Sequence, residues 1–595
     1  MTARGRVRVK RLASMKPVLF SRPLVGALLV IGLGCGDVAT RALAAPAPVA
    51  DVQAQTLRVG GRGASIDETQ IKTTFFVDQK LGNDSAPGTK AQPVATILRA
   101  FALAGQTLEQ GKGTRIVVRP GIYREALGYG PPNLYQAPFA LEGTDRDTCI
   151  VTASDRFTGW SGPDAQGVYS HEWKLKWGTF PGPDAADPPP FPKEMGRYEN
   201  VVLDEKMLFP RVAKADLKPG TFFVDETAEK LYVLPPQGVN PNDTKHDVEV
   251  ATRINGLYDQ KNNRRDASIL HFYRPEPENR PKPANVVVRG LTFQNGPGGL
   301  FNSALNFQNT SNCLLENIRV RNCGYDGFSM SGNGNTVRNC LAQDNGEKGF
   351  GADGDGNLFE RVTLLRNCVK GAGFGWNGWD GGAFKCGSFS NSTVRGFRAS
   401  GNATKGMWFD TACVGDLVEG CVMSGNTVQY ADGLFWENNN RNTVPNLGAR
   451  VTGLVRNCRF EGNWTGFFVA ESENVVLQNC VMRGNGAQLA MYNGTNPPRG
   501  VINNVAFSGC TLAALKSDQK LFGIDESNPS PSWTGQFLPS LRAAKVFGTN
   551  GNRYSSPRKT PFRDASGKET LDFAGWQRLL QARGADTKST FASAP

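Results

Sequence analysis

From Leu291 to Val505 one short pattern recurs: an apolar residue, an Asn or Gly just before it on most occurrences, and an Asn or Gly four to five residues after it. The apolar position falls at Leu291, Ile318, Cys340, Val362, Phe397, Cys421, Cys458, Cys480 and Val505, in steps of 27, 22, 22, 35, 24, 37, 22 and 25 residues. A base step near 22 residues is too short for helical repeats. It suits one coil of a solenoid of parallel strands, in which each coil buries its inward face only by stacking on the next. The predicted fold is therefore all-β, a parallel β-helix, with positions of equal phase lying side by side on successive coils, about 4.8 Å apart.

Ahead of each apolar position runs a second strand that opens with Gly: Gly327-Phe-Ser-Met-Ser331, Gly349-Phe-Gly-Ala-Asp353, Gly381-Gly-Ala-Phe-Lys385, Gly406-Met-Trp-Phe-Asp410, Gly433-Leu-Phe-Trp-Glu437 and Gly466-Phe-Phe-Val-Ala470. Side chains alternate faces along a strand, and the first and third positions after Gly are nearly all apolar, so they face the core. The second and fourth then face outward. This predicts one outward column of Trp408, Phe435 and Phe468 and another of Asp353, Lys385, Asp410 and Glu437. The two longest steps add loops, residues 371–380 and 438–450, around the same face, which brings Trp379 and Asp380 beside it. Like charges directly opposite one another destabilise a sheet, so Asp410 beside Glu437 points to chemistry rather than to a solvated surface. Trp408 and Phe435 are expected either as a sugar-stacking platform or as packing under the loops, and Lys385, Asp380, Asp353 and Trp379 complete the expected substrate-binding set.

The rest of the chain divides around this core. Residues 1–44 read as an export signal, with a basic start, an apolar run from Leu24 to Leu33 and the small-residue site Ala42-Leu43-Ala44. The run is too short to span a membrane. Met15 offers a second, more compact start, and Leu33-Gly34-Cys35 only faintly resembles a lipoprotein cleavage box. The mature chain is expected to be periplasmic or extracellular. Residues 45–72 read as a linker, 73–129 as an N-terminal cap with the first strands, and 130–280 as a β-rich insertion. Residues 281–512 form the expected solenoid core, and 513–595 a C-terminal cap and tail in which 571–580 have helical spacing.

Charge and cysteine content then narrow the chemistry. The net charge of +13 shrinks once the leader is set aside, because residues 1–44 carry eight Lys or Arg and one Asp and leave 59 basic against 53 acidic residues. With no basic run interleaved with aromatics, nucleic acid is not an expected partner; a polysaccharide or oligosaccharide is. Cys340, Cys421, Cys458 and Cys480 share a position with Leu, Ile, Val and Phe, so they are expected as buried free thiols rather than disulfides. The three histidines, His171, His246 and His271, all lie outside the repeats, and neither a zinc site nor His-based chemistry is expected. Asp353-Gly-Asp355-Gly-Asn357 lacks the sixth-position Gly and twelfth-position Glu of a calcium loop and reads as a turn.

The segments Phe76-Val-Asp, Gly82-Asn-Asp84, Pro87-Gly-Thr89 and Arg119-Pro-Gly-Ile-Tyr-Arg-Glu125 resemble the start of many bacterial parallel β-helix proteins of the pectate-lyase-like fold. The run of three strands ending in Lys385, Asp410 and Glu437 resembles the active-site coils of β-helical glycoside hydrolases, of the β-xylosidase and fucosidase–xylanase type. The resemblance implies that Asp410 is a nucleophile and Glu437 an acid/base, on a monomer that needs no cofactor and acts on a plant- or algal-type polysaccharide or oligosaccharide. Two rivals stand beside it. A polysaccharide lyase of the same fold would use Lys385 or an Arg as base on a uronic acid, with calcium, and a non-catalytic carbohydrate-binding solenoid would leave the carboxylates idle.

Overall fold

The computed structural model describes residues 59–129, 137–180, 191–255, 258–259, 264–272, 283–375, 380–492, 502–524, 549–582, 585 and 588–593. The expected leader, including Cys35, lies outside them, as does Trp379. The fold is a right-handed parallel β-helix of three long parallel sheets with 12, 11 and 13 strands. Each coil contributes one strand to each sheet, and one continuous apolar core fills the interior.

The Asn and Gly of the repeat mark the coil corners. Gly290, Asn317, Asn339, Gly396, Gly420, Asn457 and Asn479 all have φ between +53° and +67°, the left-handed region that Gly and Asn enter most easily. The residue after each corner points inward, and the strands that follow stay in register from Arg319 beside Leu341 to Val481 beside Thr511. The inward column therefore runs from Leu291 to Cys480 and continues at Cys510. Val505 is buried but belongs to a different sheet, opposite Val475. Asn504, just before it, is also left-handed at φ +54°, so a different corner produced the same local signature. All eleven described cysteines are free and buried.

A second device holds the coils together. Asn345, Asn367, Asn402, Asn426, Asn463 and Asn485 are buried one above the next; the first five amides each donate to the side-chain oxygen of the next Asn at 2.8–3.2 Å, and Asn485 donates to Gln488 Oε1 at 3.0 Å. Each amide also donates to a backbone carbonyl of the preceding coil, as Asn402 does to Leu364 at 3.0 Å. Removing one rung leaves buried polar groups unpaired on both sides, at about 1–3 kcal/mol each. Asn402→Ala is accordingly expected to lower the unfolding free energy by about 3 kcal/mol or more, read from the urea midpoint.

The N-terminal end is closed by helix Ile97–Leu108, whose buried Ile97, Ala100, Phe101, Ala104 and Leu108 follow a helical stripe. Helix Phe573–Gln581 buries Trp576 and Leu580 near the other end, with Trp576 packed on Phe522 and Phe562. Strands Phe139–Gly143 and Cys149–Thr152, expected inside the insertion, join solenoid sheets instead. The inserted module proper begins at Ser154 and forms two four-stranded sheets around Trp160, Trp173, Phe222 and Val250. It reaches across the solenoid, where Phe209 packs edge-on against Phe374 at 5.8 Å, close to the loop that carries Asp380.

Residues 59–66 do not behave as a linker. They lie across five coils, with the N–H groups of Gly60, Gly61, Gly63, Ala64 and Ser65 donating to Gly415 O, Thr393 Oγ1, Gly356 O, Thr336 Oγ1 and Asn312 Oδ1. A Cβ at Gly61 would sit 2.4 Å from the Gly356 backbone, which is why glycine stands there.

Candidate active site

Strands Asp326–Asn333, Phe350–Asp355, Gly382–Ser390, Lys405–Asp410, Leu434–Glu437 and Thr465–Ala470 lie side by side in the 11-stranded sheet. Met407, Phe409, Leu434 and Trp436 point into the core, where the Phe409 and Trp436 rings stack at 4.3 Å. Their alternation turns Trp408, Asp410, Phe435 and Glu437 outward, with Trp408 opposite Phe435 and Asp410 opposite Glu437 in register. The paired carboxylates and the aromatic column thus occur as the spacing predicts.

Lys385 occupies a different column from the expected one. It lies opposite Trp408, while Gly387 lies opposite Asp410. The strand pairs Gly382 with Lys405 and Phe384 with Met407, so Ala383 rather than either glycine stands level with Gly406, two residues out of the assumed phase. The long side chain still reaches the site. Its Nζ lies 3.3 Å from Asp410 and 3.2 Å from Asp380, and 3.7 Å from the centroid of the Trp408 ring. Asp353 sits at a bulge where the register breaks, and its side chain is exposed.

Asp380 is buried and makes no open binding surface. It pairs with Lys348 Nζ at 2.5 Å as well as with Lys385, and it accepts from the Tyr325 hydroxyl at 3.4 Å. Lys348 also meets Asp326 at 3.3 Å. A chain of alternating charge therefore runs Asp326, Lys348, Asp380, Lys385, Asp410, and Glu437 follows as the carboxylate next to its end. Trp408 and Phe435 are only 5% and 8% exposed. Lys385 and Lys405 take up the Trp408 ring, Lys405 Nζ being 4.5 Å from its centroid, so these rings are the packed floor of the site rather than an open stacking platform.

The electrostatics set the two outward carboxylates apart. Burial, and then the neighbouring Asp410 charge, push Glu437 up to about 8. Burial opposes the charge on Lys385, but Asp380 and Asp410 outweigh it and hold the ammonium protonated. The same balance, won by Lys348 and Lys385, keeps Asp380 ionised. Lys405 is pushed down by burial, against the pull of Asp432 and Glu437.

Lys405, Asp432, Lys348 and Asp326 were absent from the expected set. All four directly precede the residue at the strand-opening Gly position, at Gly406, Gly433, Gly349 and Gly327. Their alternation of charge at constant phase was the signal available. Among the described residues, no group of three or more His, Cys, Asp and Glu side chains is arranged to hold a metal ion, and no helix is long and apolar enough to cross a membrane.

Comparison with known proteins agrees on architecture. Residues 282–447 match the family described as right handed beta helix region. No curated protein matches the sequence. The structure of XylC in complex with xylose superposes with a TM-score of 0.53 at 13% identity, covering 81% of this chain and 83% of that one. A glycoside hydrolase covers 88% of this chain and 96% of its own at 10% identity, and the mannuronan C-5 epimerase AlgE6 A-module of Azotobacter vinelandii covers 84% and 95% at 13%. Their TM-scores of 0.38 and 0.41 are too low to argue from. The chain thus shares its right-handed β-helix fold with XylC.

Proposed function

We propose that the chain is an exported glycoside hydrolase that cleaves a plant- or algal-type polysaccharide or oligosaccharide with retention of anomeric configuration. The observation that carries this reading is the in-register pair Asp410 and Glu437, with Lys385 Nζ 3.3 Å from Asp410 and Glu437 pushed up to about 8. In-register neighbours on parallel strands lie about 4.8 Å apart, which suits the ~5–5.5 Å carboxyl separation of retaining enzymes better than the ~6.5–9.5 Å that admits a water in inverting ones.

In the first step an Asp410 oxygen attacks the anomeric carbon as the bond to the leaving oxygen breaks, and Glu437 gives that oxygen its proton. In the second, Glu437 takes a proton from water, whose oxygen displaces Asp410. Lys385, whose Nζ lies 3.3 Å from Asp410, orients its carboxyl for the first step. The same ammonium is unsuited to be the base of a uronate lyase, because Asp380 and Asp410 keep it protonated.

Two measurements test the reading. Proton NMR of the first-formed product is expected to show the starting anomeric configuration, and inversion would refute the nucleophile role. Glu437 must be protonated to act as the acid, and its raised value keeps it so below about pH 8. Hence kcat/KM is expected to fall as pH rises through about 8, rather than near the usual glutamate range.

A further inference from the structure

Eight large apolar side chains are well exposed among the described residues, and four of them, Val428, Tyr430, Trp464 and Leu515, stand at one corner of the solenoid. Each follows a strand of the 13-stranded sheet, at Val422–Ser424, Arg459–Glu461 or Thr511–Ala513, and precedes the strand of the site sheet on the same coil. They therefore form a stripe parallel to the solenoid axis, about 15 Å long over three coil spacings.

Two details show that the stripe is built. The Trp464 backbone N–H donates to Asn426 O at 2.9 Å and Ala431 O at 3.2 Å, which ties this corner of the coil to the turn that presents Tyr430. On the next coil stands Gly486, where a Cβ would lie 2.5 Å from the Trp464 carbonyl, so that coil puts no side chain next to the indole there. Tyr430 itself is 56% exposed and has φ +66°. A bulky residue in the left-handed region is strained, and here burial does not offset the strain.

We propose that this stripe is a sugar-binding platform, separate from the carboxylate pair, that takes the apolar faces of neutral sugar rings along a polysaccharide strand. Its width is one aromatic side chain, and four partly exposed side chains offer a few hundred Å², well under the ~800 Å² per partner of a stable protein interface. Its neighbours Thr427, Gln429, Lys516 and Asp518 are exposed hydrogen-bonding groups with balanced charge, suited to hydroxyls rather than to an anionic polymer. The proposal shares with the hydrolase reading only its class of ligand, because binding here needs no turnover.

The test uses the full chain carrying Asp410→Asn, run in native gels cast with xylan, α-1,3-glucan or alginate. Retardation is expected in at least one of the two neutral polymers. Trp464→Ala and Tyr430→Asn are each expected to weaken it at least about fivefold. Tyr430→Asn should also raise the melting temperature, because Asn tolerates the left-handed backbone. Leu81→Ser, at an exposed apolar site on the N-terminal cap, should leave the retardation unchanged. Absence of retardation in both neutral polymers, retardation in alginate alone, or equal retardation of the Trp464 and Tyr430 variants would overturn the proposal. So would sedimentation showing a dimer that Trp464→Ala dissociates, since the stripe would then join two copies of the chain.

Discussion

Asp410→Asn is expected to lower turnover by at least about 10⁴-fold on every glycoside tested, whatever its leaving group, because the covalent intermediate of the proposed mechanism forms on the Asp410 carboxylate. The substitution changes one oxygen to an amide nitrogen and leaves the backbone pairing with Glu437 intact, so the fold should survive. It also removes the charge that faces Glu437. A carboxyl raised partly by repulsion from that charge should then titrate at lower pH, and this shift can be followed by carboxyl NMR or infrared difference spectra. An Asp410→Asn enzyme of unchanged activity would remove the nucleophile from the mechanism and favour the binding-solenoid reading.

The second large effect separates the two steps. Glu437→Ala should cost about 10²–10⁴-fold on natural sugars, whose leaving oxygen needs a proton. Aryl glycosides with acidic phenols should lose far less in the first step, because a stable phenolate departs unaided. With those substrates the covalent intermediate should accumulate, since the variant also lacks the base for the second step, and intact-protein mass spectrometry should find Asp410 carrying the sugar. The fall in kcat/KM through about pH 8 should disappear with Glu437. Equal losses on all leaving groups would assign Glu437 a structural part instead.

The column logic succeeded where hydrophobic alternation was unambiguous. At Met407-Trp-Phe-Asp410 and Leu434-Phe-Trp-Glu437 the inward residues were large and the outward pair followed from them. It slipped at Lys385 because Ala383, not a glycine, fills the strand-opening position there, and at Val505 because Asn504 takes the same left-handed backbone as the true corners. The buried lysines could not be read as site residues from hydropathy alone. A lysine signals solvent, and Lys348, Lys385 and Lys405 are tolerated inside only through carboxylates that fold beside them from other coils. The Trp408 and Phe435 rings were read as facing outward, which they do, but a residue's direction says nothing of what covers it. Two lysines cover Trp408, and Lys405 also lies over Phe435.

The glycine-rich segment at residues 59–66 bears on how the chain is made. A solenoid in which each coil touches only its neighbours behaves nearly as a one-dimensional stack, free to form in pieces and to fray from either end. This segment bonds to residues between 247 and 355 positions later in the chain, so it has no place to lie until five coils already stand. What is synthesised early must settle late, at the slow pace of contacts distant in sequence. Once seated it ties the coils at Asn312, Thr336, Gly356, Thr393 and Gly415 into one cooperative block, so the middle of the solenoid should open all together rather than coil by coil.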